Sequence, residues 1–209
     1  MGFGTAECDD DRSLSSIRVI GIGASVGGPM AIAAILHHLP ADFPACIALV
    51  LHVSPGFTGA LATFLRNRTG LRVEVVGAEA SARPGSILIA DDDRHLVAAD
   101  GETFRAEAAP PVEGHRPSVT KLFSTLAETY GASAVGVLLT GVGEDGASGL
   151  KSMQARGAVT IAQDQTTSTA YGMPKAAIES GAADLVLAIS EIPSALMRLV
   201  GCGAPSDPT

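Results

Sequence analysis

The stretch Ile17-Arg18-Val19-Ile20-Gly21-Ile22-Gly23-Ala24-Ser25-Val26-Gly27-Gly28-Pro29 decides the reading of this chain. Its first six residues form an apolar run suited to a buried strand. Gly23 to Gly27 then spell G-x-S-x-G, and an apolar helical segment follows from Pro29. Proline is tolerated in the first helical turn because that N–H has no intrahelical partner. A serine on a sharp strand-to-helix turn is pushed clear of the backbone. It also sits at the positive end of a helix, where developing negative charge is stabilised. Ser25 is therefore a candidate nucleophile. Two other readings compete. Gly21, Gly23 and Val26 nearly fit the dinucleotide pattern G-x-G-x-x-G, but the third glycine falls one residue late, at Gly27. A dinucleotide site also wants an acidic residue after the second strand, and Ala45–Leu51 runs into His52 instead. The third reading is a serine that only caps the helix.

Outward from this turn, two more strand ends carry chemistry. His52 follows the second apolar strand. Gly141-Val142-Gly143-Glu144-Asp145-Gly146 follows a third, Ala134 to Thr140. In an open parallel sheet, sites form beyond the carboxyl ends of the strands. Ser25, His52 and Asp145 thus converge on one sheet edge. A serine hydroxyl needs an adjacent base at neutral pH. An imidazole needs a carboxylate to fix its tautomer and stabilise its cation. The chain order Ser, His, Asp differs from the Ser, Asp/Glu, His order of α/β-hydrolases, which disfavours that fold.

From Ile17 onward apolar strands alternate with helices. This predicts an α/β fold: a doubly wound, mostly parallel sheet with helices on both faces. Residues 86–107 hold three short strand-like runs joined by Asp/Gly turns, read as an antiparallel excursion at one edge. Residues 108–117 form a Pro-rich connection, and Ser118 caps the helix that follows it. One domain is expected over residues 17–200, between disordered segments 1–16 and 201–209.

At 209 residues and 46% apolar content, a single core is the natural expectation. Only 4% of residues are aromatic and Trp is absent, so the core is aliphatic and base stacking is disfavoured. A formal charge of −8 disfavours nucleic acid and anionic membrane as partners. Cys8, Cys46 and Cys202 lie far apart and are read as reduced thiols, with no zinc-ligand spacing. The start, with Asp9-Asp10-Asp11, does not read as a signal peptide, and no apolar stretch is long enough to span a membrane. His37 and His38 read as helix C-terminal cations. Asp91, Asp92, Asp93 and His95 read as a solvated acidic turn. His115 stands in a mobile-looking loop that no strand end positions.

Taken together, the segments Ile20–Pro29, Leu51-His52-Val53-Ser54, Asp93-Arg94-His95-Leu96, Arg116-Pro117-Ser118-Val119, Leu139–Gly146, Gln163-Asp164 and Tyr171-Gly172-Met173-Pro174 resemble the catalytic domain of the chemotaxis receptor methylesterase family. The resemblance covers roughly residues 17–200 in unbroken order. It implies Ser25 as nucleophile, His52 as base and Asp145 as its orienting carboxylate. It implies hydrolysis of glutamyl methyl esters, and deamidation of glutamines, on chemoreceptor helices in the cytoplasm, without metal or organic cofactor. Backbone amides at Val26, Gly27, Val142 and Gly143 are expected to hold the oxyanion. Arg116, Gln163, Tyr171 and Met173 are expected near substrate. Val26 stands where the family often has threonine, and Val142 where it often has methionine. Family members typically carry an N-terminal receiver domain. Only sixteen residues precede the first strand here, so activation by phosphorylation in cis is not expected and a separate signalling regulator is a further expected partner. A catalytically silent scaffold and a small-molecule esterase are the alternative readings.

Overall fold

β1, Val19–Ala24, is buried along its whole length. Ile20 and Ile22 pack into the core on one face of the sheet, and Val19 into the core on the other. Gly21 and Gly23 lie where any side chain would collide with a helix: Gly21 with Phe123 and Leu126, Gly23 with Val119. These glycines serve helix-on-sheet packing, which explains the near-match to a dinucleotide loop.

The structure is a computed structural model that describes residues 17–202. The disorder expected for residues 1–16 and 201–209 falls outside the described residues except at Gly201 and Cys202, whose N–H groups donate to Arg198 O and Met197 O. After β1 come α1 (Gly28–Leu36), β2 (Cys46–Leu51), α2 (Thr58–Arg66), β3 (Arg72–Val76) and β4 (Glu79–Ser81). Next are β5 (Ser86–Ala90), β6 (His95–Ala98), β7 (Thr103–Glu107) and α3 (Val119–Tyr130). The chain continues through β8 (Ala134–Leu138), α4 (Ala147–Ala155), β9 (Val159–Gln163), α5 (Met173–Glu179), β10 (Leu185–Leu187) and α6 (Ile192–Leu199).

Seven strands form one parallel sheet in the order β10-β9-β8-β1-β2-β5-β3. α1, α2 and α6 cover one face, with Ile32, Ile35, Leu61, Leu65 and Leu196 in its core. α3, α4 and α5 cover the other, with Leu122, Phe123, Leu150, Met153 and Ala177. The chain leaves β1 toward β2 on one side and returns to β8 on the other. That reversal beside β1 is where open α/β sheets open a crevice.

A second, antiparallel sheet, β4-β7-β6, is the excursion expected from sequence. Its strands β6 and β7 lie within the expected 86–107, but its third strand, β4, comes before that range. β5 belongs to the parallel sheet, between β2 and β3. Its all-apolar run Ile87-Leu88-Ile89 suits a strand buried on both faces. The edge strand β3 has no strong apolar run, since Arg72 and Glu74 interrupt it, and sequence reading missed it.

α3 positions the site. Val119 packs against Gly23, near the carboxyl end of β1, while Leu126 packs against Gly21, further back. The helix therefore runs antiparallel to β1 and brings its first turn to the carboxyl edge of the sheet.

Candidate active site

Ala24 and Leu51 are register partners in neighbouring parallel strands, so Ser25 and His52 leave adjacent strand ends. Adjacent strands lie about 5 Å apart. The Ser25 N–H donates to Thr140 O at 3.0 Å, and the His52 N–H to Ala24 O at 3.0 Å. These bonds lock the ends of β8, β1 and β2 together. Helix α1 is capped by Gly27, in a left-handed conformation (φ 79°), with no side-chain cap. The reading of Ser25 as a helix cap is thereby removed.

Asp145 comes from the β8–α4 loop and is 2% exposed. Both of its oxygens are fully engaged. Oδ1 accepts from Ser118 Oγ at 2.9 Å and the Thr120 N–H at 2.9 Å. Oδ2 accepts from the Val119 N–H at 2.8 Å and from His52 Nε2 at 2.9 Å. The carboxylate thus sits on the first turn of α3, where amides without intrahelical partners and the helix dipole favour an anion. Burial pushes its pKa up, but bonds from His52, Thr120 and Val119 outweigh it and hold the group well below the usual carboxylate range. An ionised carboxylate only accepts, so His52 Nε2 is the donor, which in a neutral imidazole leaves Nδ1 free to act as the base. The usual serine-hydrolase pairing is the reverse, with the carboxylate on Nδ1 and the serine on Nε2. Among the described residues no hydrogen bond joins Ser25 Oγ to His52. Such links are often loose without substrate.

Behind this lies a structural relay that sequence reading did not find. His95, expected in a solvated turn, is fully buried. Its Nδ1 accepts from the Ser118 N–H at 3.2 Å, and its Nε2 meets Pro110 O at 3.1 Å. One ring pins both ends of the 110–118 loop. The two interactions assign the proton to Nε2, because a carbonyl only accepts. His115, given no anchor from sequence, lies on the site: its ring stacks on His52 with centroids 4.2 Å apart and planes 2° apart. Histidine spacing carries no signal for either contact, since both span loops rather than a helix face.

The remaining candidates separate into two groups. Val26 and Val142 are exposed, at 51% and 63%, and their amides make no backbone hydrogen bond among the described residues. Gly27 and Gly143 flank them in left-handed turns. The Gly141 N–H is committed to Ala170 O, so it is no oxyanion donor. Tyr171 is half-buried and bridges to Gly141. Gln163 and Met173 require correction: both are buried and do not line a cleft. Gln163 ties the Thr140 N–H to the Thr167 carbonyl, and Met173 packs under Gly141. Arg116 is likewise engaged, through two bonds to Asp93 (2.8 and 2.6 Å) and one to Ala109 O (3.0 Å).

One ligand atom each of His52, His115 and Asp145 falls within 4.8 Å of the others. Two parallel rings aim their lone pairs side by side rather than at one point, and both oxygens of Asp145 are already occupied. The arrangement suits a hydrogen-bonded base better than a metal centre.

The CheB methylesterase family matches residues 20–196. This chain belongs to that family. Protein-glutamate methylesterase/protein-glutamine glutaminase 2 of Anaeromyxobacter dehalogenans is 49% identical over 183 residues, 88% of this chain and 53% of the relative. Protein-glutamate methylesterase FrzG of Myxococcus xanthus is 43% identical over 182 residues, 87% of this chain and 54% of the relative. The chain therefore spans about half the length of the curated relatives it matches. The crystal structure of the Thermotoga maritima CheB methylesterase catalytic domain superposes with a TM-score of 0.84 at 37% identity, over 88% of this chain and 98% of that one. The fold is that of a CheB catalytic domain.

Proposed function

We propose that this CheB-family chain is a serine hydrolase that removes methyl groups from glutamyl methyl esters, and amide nitrogen from glutamines, on chemoreceptor signalling helices. The names of its relatives supply the substrate class. The observation that carries the chemistry is the buried Asp145 holding His52 Nε2 at the strand end beside Ser25.

In the first half-reaction the Ser25 hydroxyl attacks the γ-carbonyl of the ester and passes its proton to His52 Nδ1. The imidazolium is stabilised by Asp145. Amides of Val26 and Val142, exposed beside Ser25, hold the oxyanion. The tetrahedral adduct collapses as His52 returns the proton to the methoxy group, and methanol leaves. Water, deprotonated by the same nitrogen, then attacks the acyl carbon on Ser25, and His52 returns the proton to Ser25 Oγ as the acyl bond breaks and glutamate leaves. A glutamine side chain follows the same course with ammonia leaving. Neither half-reaction as written requires a metal or organic cofactor. No helix among the described residues is long and apolar enough to cross a membrane.

The test is methanol release from methylated receptor membranes by the wild-type chain and its Ser25→Ala form. Serine-dependent release is expected. Equal release by both forms sinks the mechanism.

A further inference from the structure

Asp145 holds His52 at one edge only, through Nε2. One hydrogen bond fixes a nitrogen, not a ring plane. An imidazole free to pivot about that bond leaves the direction of Nδ1 unset. The parallel ring of His115, 4.2 Å away, blocks that pivot on one face.

His115 is itself held. Its N–H donates to Val112 O at 2.9 Å, and its carbonyl accepts from the Val112 N–H at 3.1 Å. Between them Glu113 (φ 51°) and Gly114 (φ 82°) are both left-handed, as a tight two-residue hairpin turn requires. Arg116, the next residue, is latched to Asp93 and Ala109. His95 pins the loop at Pro110 and Ser118. Glu113 meets Thr120 and Ser148. The stacking ring therefore stands on a braced platform rather than a free loop.

We propose that His115 is a positioning residue for the esterase reaction: it clamps the plane of His52 and presents an aromatic face to the imidazolium as it forms. This rests on the Ser25, His52 and Asp145 assignment above. A π face attracts a cation. The cation exists only while the reaction is under way, so the contact favours the transition state over the ground state and acts on kcat more than on KM. The role needs a flat ring but no proton exchange at His115, and that separates it from a second general base.

The experiment compares His115→Ala and His115→Phe with the wild-type chain. The readouts are kcat and KM for methanol release, the rate of Ser25 labelling by a fluorophosphonate, and Tm. His115→Ala is expected to lower kcat and the labelling rate by about tenfold, with KM within about twofold. His115→Phe, which keeps the stack, is expected to recover most of both. Wild-type rates in His115→Ala overturn the proposal. So does a loss in His115→Phe equal to that in His115→Ala, because imidazole chemistry is then required. A Tm loss shared by both variants in proportion to their rates also overturns it, in favour of a purely structural role. Full turnover in Ser25→Ala is a different failure, of the triad assignment itself, and the labelling site reveals it.

Discussion

The turn after β1 and the loop before α3 face each other across the site, and they are built on opposite principles. Gly23 to Gly28 is ordered mainly by regular structure: a strand end tied to Thr140 at the neighbouring one, a left-handed Gly27 and a helix that starts within three residues of Ser25. Residues 109–118 hold little regular structure. Their order is imported from Asp93 and His95, some twenty residues earlier, and from Asp145, later in the chain. In the proposed mechanism the first region presents the nucleophile, and the second supports the base. A site of this kind is as rigid as its less regular half.

Removing the shared anchor is expected to damage both halves. Asp145→Ala leaves the Val119 and Thr120 amides and the Ser118 hydroxyl without their buried acceptor. It is predicted to cost about 3–5 kcal/mol in denaturant unfolding and to lower kcat by about 10⁴-fold. Ser25→Ala, on the regularly structured side, is predicted to change stability by less than about 0.5 kcal/mol. Equal destabilisation by the two substitutions breaks the contrast.

His95→Ala tests the imported order alone. Its buried ring touches no reacting atom in the scheme above. Losing it is expected to cost about 2–4 kcal/mol from the cavity and the two freed backbone groups. Turnover is expected to fall as well, because Ser118 and the His115 platform loosen. Normal kcat at normal KM in a destabilised His95→Ala protein shows that the loop's order does not matter to the base.

The smallest effect is a pH dependence. Asp145 has a folded-state pKa below its unfolded value. Its contribution is therefore fully present above the ordinary aspartate range, near about 3.9. It is lost as pH falls from there through the lower folded value. The stability gap between wild type and Asp145→Asn is predicted not to narrow from neutral pH down to about 4 and to shrink below that. Other depressed carboxylates, such as Asp184, are common to both proteins and cancel in the difference. A gap that narrows between neutral pH and mild acid contradicts the assignment.

What was legible from residues follows the same division. The parallel sheet, the three strand ends and the cap at Ser118 rest on short-range patterns: apolar runs, turn glycines and a helix start. They were readable, and with them the placement of Ser25, His52 and Asp145 at those strand ends. The edge strand β3 was not, because a half-exposed strand with Arg72 and Glu74 carries a weak pattern. The buried His95 and the stacked His115 were not, because their partners lie in other elements and sequence proximity carries no trace of them. Gln163 looked like a cleft residue because it ends a strand beside the site. Its amide is spent inside, on Thr140 and Thr167.

The most direct measurement is labelling with a fluorophosphonate followed by peptide mapping, on the wild-type chain and on His52→Gln. The account predicts one adduct, on Ser25, formed rapidly in the wild type and barely in His52→Gln. An adduct on another residue, or undiminished labelling of Ser25 in His52→Gln, contradicts it.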